Sequence, residues 1–297
     1  MQKDPSHTSG IYYVIMAGTL WSIMGLGVRL MESANVWQIL LYRSTSLVIF
    51  LYFILIIRSK KNPFLLIYES HLPTYFAAAG LFVAYSGGIY SVQNTTVANA
   101  MLLFASAPFI TSILAYLLLK EKVQYYTVIA MIFAVTGIIV MVIESIGENT
   151  LKGSIAGVIS AFGFSIFTIS LRKGKQTDML PSVFLSGLLA IILTIIICYN
   201  QNMSIILKPF DASLALGLGI FQVGIGLVLY TIGSKTVPAA ELTLLSLAEV
   251  LLAPFWVWLF LGEKISQLTL LGGSILFAAI IYNSIMFIQK RVTKQIS

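Results

Sequence analysis

The sequence predicts an all-α polytopic membrane protein, with ten transmembrane helices arranged as two inverted five-helix repeats. Three observations carry this. Of the 297 residues, 58% are apolar and 10% charged, with a mean hydropathy of +0.94. A soluble domain is about 45–50% apolar and about 25% charged, and disorder needs the opposite bias. Apolar runs long enough for a span, about 20 residues, recur along the whole chain. Two blocks of the first half reappear in the second at an offset of 142–143 residues.

The runs fall at roughly 10–30, 36–57, 73–92, 97–119, 125–143, 153–172, 181–199, 212–234, 239–261 and 267–288. Each is continuous over about 20 residues, which is a helix signature; barrel strands alternate over about 10. The first run is too long for a signal-peptide core and is read as a retained span. Most connections are short. The longest polar one, 58–72, holds Arg58, Lys60 and Lys61.

Lys and Arg orient the chain, because they are enriched on the cytoplasmic side. With the N-terminus inside, thirteen basic residues fall in inside segments, among them Lys3, Lys120, Lys122, Lys175, Lys235 and Lys290. Four fall outside (Arg29, Lys152, Lys208 and Lys264), and Arg43 lies within the second span. Both termini are therefore expected in the cytoplasm, with the chain in the cell (inner) membrane. The +7 net charge, which on a soluble chain would suggest nucleic acid, is an orientation signal here, and no nucleic-acid partner is expected.

The repeat is legible in two blocks. Gly10–Arg29 lies over Gly153–Arg172, with Gly10/Gly153, Ser22/Ser165, Ile23/Ile166 and Arg29/Arg172 in register. Val97–Val123 lies over Ala239–Ile265, with Leu102/Leu244, Leu103/Leu245, Glu121/Glu263 and Lys122/Lys264 in register. Five spans per unit is odd, so the second unit runs upside down. Inverted repeats of this kind serve alternating access around a site near the bilayer midplane.

The stretch Tyr230-Thr-Ile-Gly-Ser-Lys-Thr-Val-Pro-Ala-Ala-Glu-Leu-Thr-Leu-Leu-Ser-Leu-Ala-Glu249, running on to Pro254 and Leu261-Gly262-Glu263, resembles the second repeat of the EamA-like branch of the drug/metabolite transporter superfamily. Ala98-Asn99-Ala100, Pro108 and Leu119-Lys120-Glu121 form a weaker first copy, and Trp21 also fits. Val250 stands where such families place a proline. The resemblance implies two EamA-like units, 1–147 and 148–297. It also implies a central cavity lined by the first, third, fourth, sixth, eighth and ninth helices, with the second helix peripheral. It implies export of a small metabolite such as an amino acid or a nucleoside-like compound.

Polar groups inside a bilayer are costly and tend to face the bundle interior. Leu242, Ser246, Glu249, Ala253 and Trp256 share one helical face. Glu249 sits mid-span, where a charged carboxylate costs about 2.5–3.5 kcal/mol on insertion scales. Two readings stand side by side: a proton-coupling or amine-binding group, and a carboxylate pinned between helices. Gly18, Ser22, Gly25 and Arg29 form a second face, mirrored by Ala161, Ser165, Thr168 and Arg172. Small faces serve close packing or leave room for a solute. Arg29, Arg172 and Arg43 are expected to snorkel to the interface. Tyr85 and Tyr90 in the third helix, Asn99 in the fourth, and Gln222 and Tyr230 in the eighth are expected to bond a solute or another helix. Trp21, too deep for an interface anchor, is expected to wall the cavity. The substrate-binding candidates are therefore Trp21, Ser22, Tyr85, Tyr90, Asn99, Ser165, Gln222, Tyr230, Ser246 and Glu249.

The expected function is secondary transport by alternating access, coupled to protons through Glu249. An uncoupled facilitator and a multidrug-type cation exporter are the alternatives. A membrane enzyme is remote: His7 and His71 lie near segment ends and Cys198 stands alone, so a nucleophile–base pair or a metal cluster is hard to build. No cofactor or metal is expected, and no phosphate-binding G-x-x-x-x-G-K-[ST] motif occurs. The expected partners are a metabolite, the lipid bilayer and protons. A monomer is the expected unit, with a dimer as the alternative.

Overall fold

The computed structural model describes residues 7–120, 125–144, 150–174 and 177–296. Lys3, Glu121, Lys122 and Lys175, used above for orientation or register, lie outside them. The described residues are helical, without a strand. The elements are α1 (His7–Trp21 and Ile23–Leu30), α2 (Val36–Ser59), α3 (Leu72–Asn94), α4 (Val97–Phe104 and Ala107–Leu119), α5 (Tyr125–Glu144), α6 (Leu151–Lys173), α7 (Leu180–Asn200), α8 (Pro209–Gly233), α9 (Ala239–Leu245 and Ala248–Leu261) and α10 (Gln267–Ile296). A short helix, Pro63–Tyr68, joins α2 to α3. Among the described residues, eight helices are long and apolar enough to cross a membrane; in α5 and α10 the apolar helical stretches Tyr125–Met141 and Gln267–Asn283 are shorter.

Local chemistry sets the ends. Asn35 accepts from the Gln38 amide while the Gln38 side chain accepts from the Asn35 amide, a reciprocal cap that starts α2. Thr96 caps α4 through the Asn99 amide at 3.1 Å. Gly262 ends α9 in the left-handed region at φ 67°, where a residue without Cβ is least strained.

Three helices are broken in mid-course: α1 at Ser22, α4 at Ala105–Ser106, and α9 at Ser246–Leu247. Backbone groups freed inside a bilayer must find partners, and short turns supply them. Ala105 N–H donates to the Met101 and Leu102 carbonyls, and Leu247 N–H donates to that of Leu244. Pro108 stands in the first turn after the α4 break, where a missing N–H costs no helical hydrogen bond. In α8 the residues Leu218–Ile225 widen into π-helical turns. The missing proline at Val250 does not leave α9 straight, because its break falls earlier, at Ser246–Leu247.

α3 packs along α6, α1 along α8, α2 along α7, α5 along α10, and α4 against α9. α3 and α6 are closely apposed. A Cβ built on Gly80 would stand 2.7 Å from the Gly163 carbonyl oxygen, and one on Gly163 would stand 2.7 Å from the Ala84 nitrogen. Only glycine admits this backbone contact, the usual device of membrane helices that have no hydrophobic drive to associate. Gly137 and Gly272 serve α5 and α10 in the same way, and Thr127 donates to the Asn283 side-chain oxygen across them at 2.8 Å.

Arg29 does not snorkel. Its Nη2 donates to the Thr95 carbonyl at 2.6 Å and its Nε lies 3.1 Å from Glu263 Oε2. The other carboxylate oxygen accepts from the Val97 amide at 2.7 Å. Glu263 thus ties α1 to the start of α4. A carboxylate within reach of the guanidinium removes the reason to seek water.

Replacing Gly163 by Leu is expected to lower stability by about 1–3 kcal/mol, as overpacking does. Gly217 is helical with nothing near a built Cβ, so Gly217→Ala is expected to gain about 0.5–1 kcal/mol. Unfolding midpoints in detergent check both signs.

Candidate functional site

A cavity of about 70 Å³ lies between the helices, walled by side chains of α1, α2, α3, α4, α6, α8 and α9. That is room for a few waters or a small solute. Its wall is largely apolar: Met24, Leu81, Met101, Phe104, Phe164 and Leu227 contribute. The polar exceptions are few, notably Arg43, Tyr85, Gln222 and Glu249. A mostly apolar hollow with a few polar groups is the usual make-up of a small-molecule site.

Glu249 reaches this cavity because α9 is broken. It stands in the first turn of the second half of the helix, where the helix dipole favours a carboxylate. It is buried, at 6% exposure. Among the described residues its side chain forms no hydrogen bond or ion pair.

Arg43 corrects the sequence reading. It does not snorkel and is 2% exposed. Its guanidinium carbon lies 4.8 Å from the centre of the Tyr85 ring, a cation–π contact. Nη1 lies 3.9 Å from the Met24 sulfur, and Nη2 is buried without a hydrogen-bond partner. The helix treated as peripheral therefore brings a cation into the cavity. The signal was present, as an arginine seven residues into a span, but its direction depends on α2 packing against α3, α7 and α8.

Of the ten candidates, Trp21, Tyr85, Gln222 and Glu249 come together in this wall. Gln222 projects from the widened turns of α8, a local geometry frequent at functional sites. Its Nε2 donates to the Trp21 carbonyl at 3.4 Å, and its Oε1 is buried without a donor. Tyr230 lies beside the wall: its ring meets Trp21 and Phe164 at centroid distances of 5.2 and 5.4 Å, and its hydroxyl pairs with that of Thr168 at 2.9 Å. With Phe167 these rings floor the cavity on the side of the α1 N-terminus. On the opposite side stands the Arg29–Glu263–Val97 clamp.

The other five make helix contacts. Ser22 donates to the Thr19 carbonyl at 2.6 Å and accepts from Trp256 Nε1 at 3.0 Å, which joins α1 to α9. Ser165 bonds the Ala161 and Ala107 carbonyls, and Ser246 that of Thr243. Asn99 donates to the hydroxyls of Thr95 and Ser154. Tyr90 is half-buried against an apolar cluster. Sequence reasoning missed Met24, Ser91, Ser160 and Phe164 in the wall. Ser160, whose hydroxyl bonds the Ala84 carbonyl at 2.8 Å, carries no pattern that marks it out from other small residues.

A bundle of membrane-length helices around a cavity with few polar groups has the form of a small-solute membrane transporter. The chain belongs to the EamA-like transporter family, which matches residues 8–143 and again 151–285. It is similar to human solute carrier family 35 member G1, at 24% identity over 94% of this chain and 79% of that one. The match to the mouse protein of that name, at 26% identity, covers 67% of this chain and spans 57% of the relative's length. An uncharacterized transporter of Archaeoglobus fulgidus is 27% identical over 67% of this chain and 72% of its own. A protein of known crystal structure shares the fold with a TM-score of 0.71 at 16% identity, over 94% of this chain and 98% of that one.

Removing the Tyr85 ring tests the cation–π contact. Tyr85→Leu is expected to destabilise the protein by more than the roughly 2 kcal/mol such a buried contact supplies, because packing is lost as well. Tyr85→Phe keeps the ring and is expected to lose less. Thermal unfolding in detergent reads the order.

Proposed function

We propose that this chain is a secondary transporter that exports a small metabolite by alternating access, coupled to protons through Glu249. The observation that carries the reading is the buried Glu249 carboxylate, without a hydrogen bond or close ion pair among the described residues, at the mouth of a half-helix in a central cavity. Such sites are typical where discontinuous helices of opposed repeats meet.

In this reading ten spans form two inverted units, 1–147 and 148–297. The double family match supports the division. So does the packing: advancing each helix number by five turns the α3–α6 pair into α8–α1 and leaves α2–α7, α4–α9 and α5–α10 as pairs. Both termini face the cytoplasm, in the inner membrane, as the lysine and arginine bias favours. The clamp of Arg29 and Glu263 is then the closed outer side, and the aromatic floor is the inner side. The protein works as a monomer and makes or breaks no covalent bond of the solute. Glu249 gives up its proton when it receives the solute and takes one back on release to the other side.

A multidrug-type cation exporter draws on the same carboxylate, but Arg43 shares the cavity and opposes a bare cation. An uncoupled facilitator would not use Glu249 as a proton carrier.

In proteoliposomes, Glu249→Gln is expected to abolish accumulation driven by a pH gradient and to make exchange insensitive to pH. Unchanged gradient-driven uptake would sink the coupling. The clamp gives a second measure. In a Cys198→Ser background, a cysteine at Met24 is expected to react faster with an impermeant maleimide added from outside once Glu263 is Gln. No change in rate would remove Glu263 from the outer closure.

A further inference from the structure

We propose that Arg43 is the internal counter-charge of Glu249: seated in the cavity by the widened turns of α8, it sets how readily the carboxylate gives up its proton. The inference rests on the coupling reading and adds the residue that regulates the coupling group. Arg43 is a positioning residue in this sense, acting through Glu249 rather than on the solute.

Its seat is built from three sides. On α8, Gly219 stands in the widened turns, and a Cβ built on it would collide with the Arg43 carbonyl oxygen and the Ser46 hydroxyl. Only a residue without a side chain lets α8 lie this close to α2. The Ser46 hydroxyl lies 2.8 Å from the Leu216 carbonyl oxygen and 3.1 Å from that of Arg43, and so ties the two helices together. On α3 the Tyr85 ring receives the guanidinium, and on α1 the Met24 sulfur faces Nη1. A side chain held at both its backbone and its head does not swing out to the lipid.

Among the described residues that wall the cavity, Arg43 and Glu249 are the charged ones. Both are buried, so their attraction is little screened by water or salt. No ion pair closes between them. They are coupled through the cavity without being locked together. A buried carboxylate far from any cation resists ionising, and one in direct contact with an arginine resists protonation. An arginine at a remove leaves both states within reach, which a proton carrier needs.

The other ionisable groups around Glu249 do not replace Arg43. The half-helix that carries Glu249 packs chiefly against α1 and α4. On α1, His7, Tyr12 and Tyr13 lie in the first two turns, and Arg29 is engaged by Glu263 on the other side of the cavity. The α4 half Val97–Phe104 has no ionisable side chain. Glu241 stands in the other half of α9. In the wall, Tyr85 presents its ring to Arg43. At the repeat offset the counterpart of Arg43 is Ser186 and that of Glu249 is Ala107, so the charge pair is not duplicated.

Infrared titration of the full chain in detergent tests this without a transported solute. The carbonyl stretch of a protonated carboxyl that is lost in Glu249→Gln belongs to Glu249, and its intensity against pH gives a midpoint. Losing a nearby positive charge favours the neutral carboxyl. Arg43→Gln and Arg43→Met are each expected to move the midpoint up by at least about one pH unit, a tenfold gain in proton affinity and the low end of what an opposite charge does at close range. Arg43→Lys keeps the charge and is expected to stay closer to the unmutated protein. Gly219→Ala leaves the arginine in the chain but spoils its seat, and is expected to move the midpoint in the same upward direction. It decides the matter where the Arg43 variants do not fold. A midpoint unmoved by loss of the arginine, or by Gly219→Ala where only that variant folds, overturns the inference and leaves the coupling reading standing. A Glu249 band that does not titrate overturns both. A midpoint that moves as expected, in a protein whose gradient-driven uptake survives Glu249→Gln, upholds the hold of Arg43 on Glu249 and removes the coupling reading.

Discussion

Gly80 and Gly163 bring the backbones of α3 and α6 into contact, and the position of the cavity follows from that approach. In a bilayer the surrounding tails are as apolar as the helix faces, so helices associate by close packing rather than by escape from water. The two helices belong to different halves of the chain. Their contact fixes how near the halves can come, and Leu81, Ala84 and Tyr85 on one side and Ser160 and Phe164 on the other are presented to the same space. Larger residues at the crossing would separate the halves and reshape that space.

The second constraint is the price of irregular backbone in hydrocarbon. A helix that breaks inside the membrane strands carbonyl and amide groups, and this is tolerated where protein covers them. The breaks at Ala105–Ser106 and Ser246–Leu247 lie at matching places in α4 and α9, facing the interior of the bundle. What each break gains is the start of a new helix at depth, with a dipole directed at the cavity. In α9 that start carries Glu249. In α4 the corresponding position is Ala107, so the repeated backbone device carries a charge in one copy only.

The two sides of the cavity are closed by different physics. On one side Trp21, Phe164, Phe167 and Tyr230 stack and meet edge to face, with a single hydroxyl pair between Tyr230 and Thr168. On the other, Glu263 bridges a guanidinium and a helix-start amide. Gly262 makes this possible by ending α9 in a left-handed turn, which directs the next residue toward α4. Aromatic contacts separate with little directional penalty, whereas a charge-assisted bridge is made or broken as a unit.

The sequence by itself determined the membrane class, the approximate positions of the helices and the mid-helix place of Glu249. Each is a property of local hydropathy or of residue spacing along one helix. It also brought Trp21, Tyr85 and Gln222 forward, because long polar or aromatic side chains in mid-span have few places to go. It did not reveal where Arg43 points, since an arginine seven residues into a span can reach the interface or the interior, and only the helices packed beside it decide. Ser22, Ser165 and Ser246 looked the same as cavity residues until their hydroxyls were seen to bond neighbouring carbonyls. Arg29 and Glu263 are far apart in sequence, and their meeting required the ends of α1 and α9 to meet the start of α4. Periodicity reports which face of a helix is special. Only the tertiary structure decides what that face meets, because in a bilayer the choice of partner is made by packing and not by polarity alone.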